Sequence, residues 1–105
     1  MKKLLLGTLT AMLLAGPALA DSASAIRAYN SGLYDIAAQE FEREAKAGDT
    51  EAQFRLGSMY ADGIWLKQDH SQAITWLGKA AMTGHQGAVK KLEALNRAQA
   101  PAPYK

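Results

Sequence analysis

The chain has 105 residues, no cysteine and a formal net charge of +2. That length fits one small domain, which buries only ~60–65% of its unfolded surface. The missing cysteines exclude disulfide staples, thiol nucleophiles and thiolate metal sites. Lys2 and Lys3 account for the whole net charge, since acids and bases balance beyond them, so nothing points to nucleic acid or an anionic membrane surface.

Residues 1–20 read as a cleaved signal peptide. Lys2 and Lys3 form a positive start, Leu4 to Ala15 is a short apolar run, and Gly16-Pro17 breaks it. Ala18-Leu19-Ala20 then offers small residues where signal peptidase reads. The run is shorter than the ~20 apolar residues that a membrane-spanning helix needs. Without cysteine, a lipid anchor through a thiol is excluded as well. The expected product begins at Asp21, does not insert in a membrane, and resides in a bacterial periplasm or outside the cell.

Residues 21–98 are expected to form one all-α domain of about five helices. The first covers about Ser22–Ser31. The second, Tyr34–Ala47, carries Ile36, Ala37, Phe41 and Ala45 on one face, and the third, Thr50–Asp62, carries Ala52, Leu56, Met59 and Tyr60. The fourth, Ser71–Thr83, aligns Ala73, Leu77, Ala80 and Ala81 with Trp76 beside them, and the fifth, Gln86–Arg97, aligns Ala88, Leu92 and Leu95. Each set follows the i, i+3, i+4, i+7 spacing of an amphipathic helix. Gly32, Gly48, Gly63 and Gly84 fall between them, where a helix end favours a left-handed residue. Asp49 or Thr50 can cap the third helix, and Asp69 with Gln72 forms a capping-box variant for the fourth. From Gln99 to Lys105 two prolines and no apolar stripe read as a flexible tail.

These stripes repeat. Ala37, Phe41, Ala45, Gly48, Ala52, Leu56 and Met59 recur as Ala73, Leu77, Ala81, Gly84, Ala88, Leu92 and Leu95, at a constant offset of about 36 residues. A fixed period of this kind marks stacked helical repeats, which present binding surfaces and seldom carry chemistry. Small residues such as Ala52, Gly57, Ala73, Ala80 and Ala81 let helices approach, while Tyr60, Trp76 and Leu77 fill the gaps. Phe41, Tyr60 and Trp76 lie on stripe positions and are expected to pack in the core.

Catalytic motifs are missing. No Ser-x-x-Lys, Gly-x-Ser-x-Gly or His-Glu-x-x-His pattern is present, and no glycine cluster has the form of a phosphate loop. His70 and His85 sit at helix boundaries and read as solvated loop histidines. Glu40 and Glu44, at i and i+4, could pair as acid and base or hold a metal, but read better as part of a solvated charged face. The expectation is a non-catalytic protein with no cofactor and no metal.

The run Ala52-Gln-Phe-Arg-Leu56-Gly57-Ser-Met-Tyr60-Ala-Asp-Gly63, followed by Asp69, Ala73, Trp76, Ala80-Ala81 and Gly84, resembles one full Sel-one-like repeat. Tyr34–Asp49 resembles the second half of a preceding repeat and Gln86–Leu95 the first helix of a following one. That family is related to the tetratricopeptide repeat. The resemblance implies a short right-handed α/α superhelix of about two helix–turn–helix repeats that serves protein–protein contact. It further implies that the first helix of each unit lines a concave face, which makes Arg55, Ser58 and Asp62 candidate partner-binding residues.

Trp65 stands where the family usually has a second glycine. It either folds back over one end of the stack or faces a partner, as exposed tryptophans at hot spots do. The leading expectation is an envelope adaptor for a protein or peptide. The alternatives are an immunity-type inhibitor of a secreted toxin and a small enzyme acting on cell-wall material.

Overall fold

The computed structural model describes residues 22–99, so the expected leader and residues 100–105 of the expected tail lie outside the described residues. Five helices follow one another: α1 Ala23–Asn30, α2 Tyr34–Lys46, α3 Thr50–Asp62, α4 His70–Met82 and α5 Gln86–Gln99. Among the described residues no strand forms, and no helix is long and apolar enough to cross a membrane. Each helix packs on the next in sequence, most extensively α3 on α4, and α3 also touches α5. The result is an all-α stack of two-helix units. α5 runs two residues past Arg97, and Gln99 Nε2 lies 3.2 Å from His70 Nδ1 at the start of α4.

The helix ends follow from the sequence. Gly63 closes α3 in the left-handed region at φ 70°, and the Ile64 N–H donates back to the Met59 carbonyl. Gly32, Gly48 and Gly84 likewise have positive φ, and the residue after each donates to a carbonyl five residues earlier. Asp49, rather than Thr50, caps α3: its Oδ1 accepts from the Ala52 N–H at 2.8 Å. Asp69 caps α4 in the same way, accepting from the Gln72 N–H at 3.1 Å.

The core has two parts. Ala25, Ala37, Ala38, Phe41, Ala45, Ala52, Leu56 and Met59 form the first, between α1, α2 and α3. Ala61, Ala73, Leu77, Ala80 and Ala88 form the second, between α3, α4 and α5. Tyr60 packs against both. Gly57 is what lets α4 come close: a Cβ there would sit 2.8 Å from Leu77 Cγ and 3.0 Å from the Leu77 backbone nitrogen.

Four expectations need correction. Ile36 is 45% exposed, because Ala37, Ala38, Phe41 and Ala45 form the inward face of α2 and Ile36 lies to one side of it. Tyr60 and Trp76 are half-buried rather than enclosed, unlike Phe41. Glu44 is not on a solvated face: it is buried beside Ala45, with Oε2 3.9 Å from Arg43, while Glu40 accepts from Ser24 Oγ at 2.7 Å. His85 is not a solvated loop residue either, because its ring packs and bonds on both sides as described next.

Candidate functional site

α3 is the middle helix, and the face it turns away from α2 and α4 carries the candidate residues. Arg55, Ser58 and Asp62 follow at i, i+3 and i+7, one stripe of the helix. They line one pocket of about 140 Å³ together with Tyr29 of α1, Phe54 and Met59 of α3, and Ile64 just beyond it. The walls are thus largely aromatic and aliphatic, with three polar groups along one side. Sequence reasoning did not name Tyr29, Phe54, Met59 or Ile64 for this face. Met59 was assigned to the core, where it is also fully buried.

Arg55 is held in place. Its Nε donates to Glu51 Oε2 at 2.7 Å, and Glu51 Oε1 in turn lies 2.8 Å from His85 Nε2. The other ring nitrogen, Nδ1, accepts from the Ala88 N–H at 3.1 Å, so His85 caps α5. With Nδ1 accepting, Nε2 carries the proton and donates to Glu51. The imidazole also stacks on Phe54, with centroids 4.4 Å apart and planes at 25°. Burial pushes the Glu51 carboxyl up, but the hydrogen bonds from His85 and Arg55 and the charge of Arg55 outweigh it and leave it below its ordinary value. His85 therefore fixes two pocket residues, one by stacking and one through Glu51. The signal was present in the repeat: His85 occupies the position that Asp49 occupies one period earlier, the N-cap.

Ser58 lines the pocket with a hydroxyl oxygen that is buried and bonds to no described residue. Asp62 is occupied, since both carboxylate oxygens accept from Lys91 Nζ at 3.0 Å. Trp65 lies outside the pocket and is 64% exposed, so it does not cover the stack. Its backbone has φ 64°, and the Leu66 N–H donates to the Ile64 carbonyl across it at 2.6 Å. This is a γ-turn of the positive-φ kind, rare and strained for a bulky residue. The left-handed twist that a glycine would supply is kept, and the indole is carried on it.

The loop is pinned around Trp65. Ile64 and Leu66 pack on the first core cluster, Gln68 Nε2 donates to the Ala61 carbonyl at 2.9 Å, and the Asp69 N–H donates to the Tyr60 carbonyl at 3.0 Å. Such cross-ties over-determine a strained conformation.

Residues 50–85, which cover α3, α4 and the turn into α5, match the family model of the Sel1 repeat. The chain carries a Sel1 repeat. Over 70 residues, 66% of its length, it is also 34% identical to chitin synthase regulatory factor 4 of Schizosaccharomyces pombe. The chain spans only 10% of that protein. No solved structure matches. Sel1 repeats are generally protein–protein interaction modules, and the pocket on α3 lies within the Sel1 repeat except for Tyr29, which α1 contributes.

Proposed function

We propose that the protein is a non-catalytic adaptor of the bacterial envelope that holds a protein or extended peptide on the face formed by α1, α3 and the start of α5. The observation that carries this reading is the pocket, where Arg55, Ser58 and Asp62 meet Tyr29, Phe54, Met59 and Ile64. Apolar walls with a few placed polar groups suit recognition. Trp65 is a second anchor beside it, since Ile64 belongs to the pocket wall and Trp65 is the next residue. The fungal relative's name, a regulatory factor, is in keeping with a module that acts through another protein. The envelope address, periplasmic or secreted, rests on Lys2, Lys3, the apolar run and Ala18-Leu19-Ala20.

The test is capture of partners from envelope extract by the tagged protein, with mass spectrometry of what is retained. A partner held by the wild type and lost from both Asp62→Lys and Trp65→Ala, with both variants folded by circular dichroism, supports the reading. Equal capture by all three proteins, or no retained protein, overturns it. The immunity-type alternative draws on one observation, the pinned loop that presents Trp65 outward. It is distinguished by a retained partner that is a toxin whose activity the protein inhibits.

A further inference from the structure

The pocket contains more than a generic docking surface requires. We infer that it receives an extended peptide segment in which an apolar side chain stands next to an internal Asp or Glu. The apolar group enters between Tyr29 and Phe54, and the carboxylate pairs with the terminal amino groups of Arg55. This inference rests on the reading of the pocket as the docking site.

Volume sets the first part. A cavity of ~150 Å³ lined by apolar side chains holds a benzene molecule. A pocket of about 140 Å³ with walls from Tyr29, Phe54, Met59 and Ile64 therefore suits one branched aliphatic or aromatic side chain.

Charge sets the second part. Four charged groups surround the pocket on α3 and α5, and they form two ion pairs, Arg55 with Glu51 and Lys91 with Asp62. Glu51 is bonded by both Arg55 and His85, and Asp62 and Lys91 are bonded to each other. Arg55 makes its hydrogen bond among the described residues through Nε alone, which leaves both terminal amino groups of a rigid planar fork for a ligand. That edge matches a carboxylate in a two-pronged pair better than it matches any neutral group. Along the same face, Lys90 stands on α5 where α3 has Phe54, is exposed, and makes no salt bridge among the described residues. With both pairs neutral, the open donor surface of this face is the Arg55 fork together with Lys90. Because it continues from α3 to α5, a segment crossing the face meets it along its length, which favours an internal acid over a chain end.

Ser58 stands on the wall between Arg55 and Asp62. Its hydroxyl oxygen is buried, bonds to no described residue, and lies one helical turn beyond Arg55 on the pocket wall. A hydroxyl oxygen shielded in this way is closed to a ligand, so Ser58 shapes the wall and the peptide bonds to Arg55.

The experiment uses fluorescein-labelled hexapeptide amides titrated with the purified protein and followed by anisotropy. The parent is Gly-Ser-Asp-Leu-Ser-Gly amide. Comparators replace its Asp by Asn or Lys, its Leu by Ala, or supply the carboxylate only as a free C-terminus after Leu. The expected result is binding of the parent at least about tenfold tighter than the Asn, Lys and Ala forms, weakening with salt. Arg55→Gln is expected to erase the preference for Asp over Asn, and Arg55→Lys, which keeps charge but not the fork, to restore only part of it. Equal binding of Asp and Asn forms, a preference that survives Arg55→Gln, tightest binding by the free C-terminus, or no binding of any peptide at millimolar protein would each overturn the inference. Those outcomes leave the adaptor reading to its own test, which uses Asp62 and Trp65 and not Arg55.

Discussion

Trp65 concentrates the tension in this chain between backbone and function. A left-handed conformation costs a non-glycine residue ~1–2 kcal/mol, and the exposed indole returns little of it. Trp65→Gly is therefore expected to stabilise the protein by ~0.5–1 kcal/mol, after allowance for the freedom that glycine adds to the unfolded chain. Thermal melts would show this as a rise of a few degrees. Trp65→Ala keeps the strain and removes only exposed surface, so its stability should stay within ~0.5 kcal/mol of wild type. A large fall in melting temperature for Trp65→Ala would mean that the ring covers the core after all.

Glu51 supports a prediction of a different kind. Its carboxyl is held below its ordinary value in the folded protein, so the stability it contributes is present above the ordinary glutamate range of ~4.3 and is lost as pH falls through the folded value. Glu51→Gln should flatten that part of the stability–pH curve. The group is partly exposed, so the effect should be at most ~1 kcal/mol. Urea titrations of both proteins between pH 3 and 7 (a range of about four units) would measure the difference.

At the level of the element, Gly57 and Gly78 make a controlled pair, both inside helices. A methyl at 57 meets the Leu77 backbone, which cannot yield, whereas nothing lies within 4 Å of a Cβ at 78. Gly57→Ala should destabilise by ~1–3 kcal/mol through overpacking, although alanine is the better helix former. Gly78→Ala should stabilise by up to ~1 kcal/mol. Circular-dichroism melts that moved both midpoints upward would mean α3 and α4 are farther apart than described. The helices were legible because burial and period agree: Ala37 and Ala73, Phe41 and Leu77, Ala52 and Ala88 are each fully buried one period apart. The repeat also explains where the pattern weakens. Leu92 and Leu95 are half-buried, whereas Leu56 and Met59, one period earlier, are fully buried in the first cluster. At the register of Gly57 and Ala61, α5 instead carries Glu93 and Arg97, so no further helix can approach α5 as α4 approaches α3. Of the candidate site, the polar stripe of α3 was legible from helical spacing. The aromatic wall was not, because Tyr29 and Phe54 meet across helices, and neither was His85, whose role needs both the cap position and the ring stack.

For the whole molecule, the question is whether two core clusters make one cooperative unit. Solenoids are nearest-neighbour structures, and a long array can lose its repeats one at a time. Here α3 belongs to both clusters: Ala52, Leu56 and Met59 serve the first, and Ala61 serves the second. Phe54 packs against the second cluster and Tyr60 against both. Unfolding α4 and α5 would strip cover from Tyr60 and Ala61, and unfolding α1 and α2 would strip it from Leu56 and Met59. With either half gone α3 keeps only part of its packing, and a helix of its length depends on packing to stay ordered in water. One transition is therefore expected for the described domain. Leu56→Ala and Leu77→Ala lie in different clusters and are both fully buried, so each should cost ~2–5 kcal/mol. Each should lower the stability of every helix by a similar amount, because loss of either cluster strips packing from α3. Native-state hydrogen exchange tests this directly. If Leu77→Ala lowered protection in α4 and α5 while α1 and α2 kept wild-type protection, the two halves would be separate units and the pocket between α1 and α3 would survive the loss of the second cluster.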